Sequence, residues 1–196
     1  MGCGEQNLYG ERFRGLIPLY GLVGNVLALG AEEHLTRDAA EVLRQTAVHS
    51  GGNVNWPSSA GELPAQDDGR PRLQWCVGAP GIVGCAASYL DEDLLLAAAE
   101  TIWVAGPHGD EKGAGLCHGT AGNGYALLKT FERTKDEQWL ERARAFAVHA
   151  LEQASRLRAT RGRGRYSLWT GDVGVARFAS DCSTPARGTR SSTGWE

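Results

Sequence analysis

The chain has 196 residues, with 20 Lys and Arg against 23 Asp and Glu, 42% hydrophobic and 22% charged residues. This is ordinary globular usage for one domain, long enough to bury a core without disulfides or metal. The formal charge of −3 argues against nucleic acid as a partner, and no run approaches the roughly 18 apolar residues of a membrane span.

The N-terminal MGCGEQNLYGER has no basic start followed by an apolar stretch, so no secretory signal is expected and the expected location is cytoplasmic. Met1-Gly2-Cys3 has the form of a lipidation start, but Gln6 stands where myristoylation wants Ser or Thr. Gly21-Leu-Val-Gly24 then runs into an apolar stretch, Asn25–Leu29. Residues 32–49 carry Leu35, Ala39, Val42, Leu43, Thr46 and Ala47 at helical spacing, and Gly51 suits the end of that helix. Residues 50–75 are rich in Gly, Pro, Ser, Asn and Asp and are expected to form a long loop, functional or disordered.

Gly81-Ile-Val-Gly84 opens a second apolar stretch through Leu90, and Asp91–Ala105 starts on an acidic cap with Leu94, Leu95, Ala98 and Ile102 on one face. Gly119-Thr-Ala-Gly122 opens a third stretch. It is followed by Asp136–Gln153, whose stripe is Trp139, Leu140, Ala143, Phe146, Ala147, Ala150 and Leu151. Residues 158–166, RATRGRGRY, form a basic, glycine-broken loop, read as a solvated surface with anion binding as the less favoured alternative. Gly171-Asp-Val-Gly174 opens a fourth stretch. Residues 183–196 show no periodicity and are expected to be a disordered tail after a domain over 1–182.

Four G-x-x-G units opening at 21, 81, 119 and 171 make an internal repeat of about 50 residues. Each repeat pairs a short apolar helix with a longer amphipathic one. Such pairs build an inner and an outer ring, with all the helix-opening loops at one end. No segment alternates cleanly over strand length, so an all-α fold with almost no sheet is predicted.

Glycine numbers 27, about twice the usual frequency. Cysteine numbers 5, which in a reducing compartment points to free thiols, a metal or a reactive site. The candidate centre is Cys76, before the second unit, with Cys117 and His118, before the third. Two thiolates and an imidazole are three ligands of a tetrahedral zinc with one position open, the arrangement of catalytic rather than structural zinc. On spacing alone the alternative, that each cysteine is a small buried hydrophobe, stays open. Cys85 reads as core, and Cys3 and Cys182 as irrelevant. His34, His49, His108 and His149 have no partner at ligand spacing. Nucleotide-binding loops, a G-x-S-x-G elbow and a glycosidase-like acid pair are absent or misplaced.

Three stretches resemble the lanthionine synthetase C-like (LanC-like) family. They are Leu73-Gln-Trp-Cys-Val-Gly-Ala-Pro-Gly-Ile-Val-Gly84, Gly115-Leu-Cys-His-Gly-Thr-Ala-Gly-Asn-Gly-Tyr125 and Tyr166-Ser-Leu-Trp-Thr-Gly-Asp-Val-Gly174. The first two match the family's zinc-ligand motifs, which are specific. The resemblance covers residues 8–182 and is to the C-terminal half of a family member. It implies a partial α/α toroid with Zn2+ on Cys76, Cys117 and His118, and addition of a thiol, from a peptide cysteine or glutathione, to dehydroalanine or dehydrobutyrine in a dehydrated peptide. It also implies an enolate-stabilising role for Arg72 and a glutathione contact for Lys112. Tyr20 stands where the family often has a proton-transferring His, and Val77 where it often has His or Tyr, so Tyr20 is the candidate acid.

Four repeats are about half of a seven-pair ring. An open half-ring would expose inner-helix flanks that invite self-association. A truncated or frameshifted product of a longer gene is the expectation, with further G-x-x-G repeats in an adjoining frame as its check. Two readings stay open: a thiol-addition enzyme that truncation would impair, and a non-catalytic, zinc-stabilised scaffold or peptide-binding fragment.

Overall fold

The computed structural model describes the backbone of residues 6–8 and 11–13 and all of residues 14–67 and 69–184. The tail beyond residue 184, together with Cys3 and the lipidation-like start, lies outside the described residues. Seven helices form among the described residues: α1 (Leu22–Ala28), α2 (Glu33–Thr46), α3 (Ala79–Ala86), α4 (Glu92–Ala105), α5 (Thr120–Thr134), α6 (Glu137–Arg161) and α7 (Asp172–Ser183). The strands are only two or three residues long and pair as three antiparallel hairpins: β1 (Gln6–Leu8) with β2 (Glu11–Phe13), β3 (Val48–Ser50) with β4 (Asn53–Asn55), and β5 (Gln66–Asp67) with β6 (Arg70–Pro71). The expected helical class with almost no sheet therefore stands. No helix among the described residues is long and apolar enough to cross a membrane.

The chain divides into two compact units, residues 1–101 and 102–196. In the first, α1 packs on α2 and α3, around a core that includes Leu16, Val23, Leu43, Val54, Trp56 and Ile82. Residues 50–75 are not a loose loop. Gly51 and Gly52 both take positive φ (57° and 86°), the geometry of the tightest hairpin turn, and end β3 rather than α2. Helix α2 stops at Thr46, so His49 lies on β3. The hairpin delivers Trp56 into the core, where its Nε1–H donates to Leu43 O at 2.8 Å, and Val54 N–H donates to Thr101 Oγ1 at 2.9 Å. Asp91 stands just before α4, where its C=O accepts from Leu95 N–H at 2.9 Å, and its carboxylate bonds Arg44 Nε at 2.6 Å.

In the second unit α5 packs on α6 and both pack on α7. Helix α5 is buried at ten positions, as an inner helix must be. Helix α6 runs to Arg161, eight residues further than the periodicity predicts, and stops at Gly162 in the left-handed region (φ 67°). Its start is capped by Asp136, whose carboxylate accepts from Gln138 N–H. The buried face is the predicted stripe with one correction: Leu151 is exposed and the buried position is Gln153. Arg142 is stacked on both Trp103 and Trp139, 4.9 and 4.6 Å from the ring centres.

Helices α1, α3, α5 and α7 open on Gly21, Gly78, Gly119 and Gly171, N-cap residues with no side chain to cap with. The orphan N–H groups of the first turn go elsewhere. Leu22 N–H donates to Gly15 O, Thr120 N–H to Gly113 O and Asp172 N–H to Arg165 O, each a carbonyl seven residues back. Ala79 N–H instead donates to Asn55 Oδ1 at 2.7 Å. The leading turn thus folds onto the helix it introduces. A Cβ at Gly119 would overlap Gly113 O, and one at Gly171 would overlap Arg165 O, so only glycine lets the two backbones meet. This corrects the register of the second repeat: its inner helix opens at Gly78, three residues before the predicted Gly81.

Candidate functional site

Under the corrected register Cys76 and Cys117 occupy the same place in successive repeats, two residues before the glycine that opens an inner helix. The equivalent positions in the first and fourth repeats are Leu19 and Trp169. The turn before each inner helix is therefore a presentation site, and two of its four instances carry a thiol.

In the first unit, Gln74 and Val77 exchange both backbone hydrogen bonds, at 2.9 and 3.0 Å, and hold Trp75-Cys76 at the tip of the turn. Cys76 is half-buried, and its Sγ–H points at Gln74 Oε1, 3.7 Å away. Arg72 donates from Nη2 and Nε to Asp67 Oδ1 at 2.5 and 3.1 Å. That pair chiefly raises its pKa, with a smaller contribution from a Cys76 thiolate, so Arg72 is both committed to an ion pair and sensitive to the charge on Cys76. Tyr20 sits on the opening turn of the first repeat with φ 61° and is 72% exposed.

In the second unit, Cys117 N–H donates to Trp169 O at 2.8 Å, which locks the third repeat's turn onto the fourth's. Behind it lies a buried polar cluster that the sequence reading missed. Gln153 is fully buried; its Nε2–H groups donate to Gly109 O at 2.8 Å and His108 O at 3.2 Å, and its Oε1 accepts from Thr120 Oγ1–H at 2.9 Å. Asn123 Nδ2 lies 3.2 Å from His108 Nε2. One α6 side chain thereby pins both ends of the segment that carries Cys117 and His118. The available signal was a glutamine on an otherwise apolar stripe. His118 lines a solvent-open pocket together with Lys112, Trp169 and several arginines.

The candidate metal ligands among the described residues are Cys76, Cys117 and His118, all half-buried. Two thiols and an imidazole are a donor set that suits zinc: soft enough to discriminate against calcium and magnesium, and one ligand short of a closed tetrahedron. The remaining described cysteines do not compete. Cys85 is buried in α3, and burial pushes the Cys182 thiol up to about 12.

The sequence model of the family described as lanthionine synthetase C-like protein matches residues 24–191. Two curated relatives agree. A zebrafish (Danio rerio) protein named glutathione S-transferase LANCL1 is 33% identical over 139 residues, covering 66% of this chain and 33% of its own. An Arabidopsis thaliana protein named LanC-like protein GCL1 is 31% identical over 189 residues, 90% of this chain and 42% of its own. The chain thus spans between a third and about two fifths of the length of these relatives. The match takes in three of the four helix-opening turns entirely, both cysteine-bearing ones among them, and the chain belongs to the lanthionine synthetase C-like family.

Proposed function

We propose that this chain is a zinc-dependent thiol-addition domain, which joins a thiol, from a peptide cysteine or glutathione, to dehydroalanine or dehydrobutyrine. The carrying observation is that the Cys117-His118 turn, built on the family's motif, is fixed on both sides by buried hydrogen bonds beside an open pocket. The name of the zebrafish relative supports glutathione as a donor. Cys76, Cys117 and His118 would hold the zinc ion. Bound there, zinc would lower the pKa of a thiol at the open position from about 8.5 and so make it a nucleophile near neutral pH.

The chain's own residues take the remaining tasks. Lys112, on the pocket that His118 lines, would receive a carboxylate of the thiol donor. As the sulfur bonds to the β-carbon, the electron pair of the double bond moves towards the carbonyl. Arg72 would offset that charge. The α-carbon then takes a proton, and the exposed Tyr20 hydroxyl would supply it, although its reference pKa near 10 makes it a slow acid.

A second reading, a zinc-stabilised scaffold without turnover, is favoured by Val77, which brings no proton donor, and by the fraction of the relatives' length that the chain spans. Zinc content of the chain beside Cys76→Ala and Cys117→Ala, followed by glutathione-adduct formation on a dehydroalanine peptide, separates the readings. About one zinc per chain, lost in both variants, with adduct formation supports the enzyme. Zinc without adduct supports the scaffold, and absence of zinc refutes both.

A further inference from the structure

The pocket beside His118 is rich in positive charge beyond Lys112. Its basic residues are Lys112, Arg158, Arg161, Arg163 and Arg165. Of its three acidic residues, Asp110, Glu111 and Asp172, two are engaged by arginines. Asp172 bonds Arg158 Nη2 at 3.0 Å and accepts from Arg165 N–H at 3.2 Å, while Asp110 pairs with Arg156 at 3.3 Å. The Arg165 guanidinium donates to the Thr170 hydroxyl at 3.3 Å and meets no carboxylate among the described residues. Arg161 and Arg163 are exposed and meet no carboxylate among the described residues. Guanidinium groups in a concave site are the natural receptors of carboxylates, which they take two hydrogen bonds at a time.

The arginines fall close together along one stretch of the chain. After α6 ends at Gly162, residues 164–167 make no regular secondary structure. Arg163 and Arg165 alternate with Gly162 and Gly164, so no side chain stands between the two guanidinium stems. Tyr166 and Trp169, 85% and 40% exposed, add aromatic surface to the same segment.

We propose that Arg161, Arg163 and Arg165 form a subsite for acidic side chains of the peptide that accepts the thiol, so that the domain selects acceptors whose modified residue is flanked by Asp or Glu. The proposal rests on the thiol-addition reading for the identity of the peptide, but its test does not need turnover. A fluorescent twelve-residue peptide with a central serine and glutamates at alternate flanking positions is titrated with the full zinc-loaded chain by anisotropy, beside the same peptide with glutamines. The glutamate peptide should bind about tenfold more tightly at low salt, and the preference should shrink as salt screens it. An Arg161→Gln/Arg163→Gln variant, with far-UV circular dichroism unchanged, should bring the two peptides within about twofold. Equal affinities for the two peptides, or a preference that survives in the variant, would overturn the proposal. So would loss of the preference under saturating glutathione, because the cations would then serve the thiol donor. Since the probe carries serine, a retained glutamate preference without adduct formation on dehydroalanine refutes only the thiol-addition reading.

Discussion

Replacing Gln153 by Leu keeps the volume but removes three hydrogen bonds at a fully buried position. The Gly109 carbonyl, 2.8 Å from Nε2, loses its side-chain donor. Thr120 Oγ1–H retains a fallback, because it lies 3.5 Å from His108 O. Each buried polar group left unsatisfied costs about 1–3 kcal/mol, and the added apolar contact of leucine returns part of it. A net loss of about 2–4 kcal/mol follows. Read by urea denaturation, at about 1–3 kcal/mol per molar for the slope, the midpoint should fall by roughly 1 M or more. Gln153→Glu should also destabilise, since the carboxylate has no N–H to offer the two carbonyls. Zinc affinity should weaken in the leucine variant even under conditions where it remains folded, because the segment before Cys117 loses its anchor. A midpoint within about 0.2 M of the parent in both variants would refute the view that Gln153 holds this segment in place.

Gly119→Ala should cost more than about 3 kcal/mol, because its Cβ overlaps backbone that cannot give way, whereas Gly106→Ala, at φ 75° with nothing nearby, should cost only about 1 kcal/mol in thermal or urea unfolding. Trp56→Phe removes the bond to Leu43 O from a fully buried site and should destabilise by about 1–3 kcal/mol. The raised pKa of Cys182 means that the unfolded thiol ionises first. Its contribution to stability is therefore full below about pH 8.5 and is lost as pH rises to about 12, and Cys182→Ala should flatten that limb of a stability-versus-pH curve. At pH 8, thiol alkylation of the folded, metal-free chain should reach Cys76 and Cys117 well before Cys182, as read by peptide mapping.

The helices were legible because their apolar spacing is a direct record of burial: α4 lies within a residue of its predicted start and matches its predicted end, and α6 begins where Asp136 announces it. What periodicity could not see was capping by main chain. Gly78 and Gly81 are both glycines in the same stretch, and only the path of the leading turn decides which one opens α3. Residues 50–75 looked like a loop because turn residues dominate them, yet their few apolar members, Val54 and Trp56, are core. Cys117 and His118 could be read from their motif. Gln153 could not, since its role comes from carbonyls more than forty residues away.

Three of the four inner helices are closed by the main chain that leads into them, through a carbonyl seven residues back, and the side chain two places before the opening glycine varies from repeat to repeat. Leucine, cysteine, cysteine and tryptophan stand there in the four repeats, and in every one a glycine still opens the helix. Such a position behaves as a socket: the residue in it changes while the opening glycine stays. A histidine or cysteine installed at Leu19 or Trp169 would therefore be a natural route to a differently liganded centre on the same scaffold.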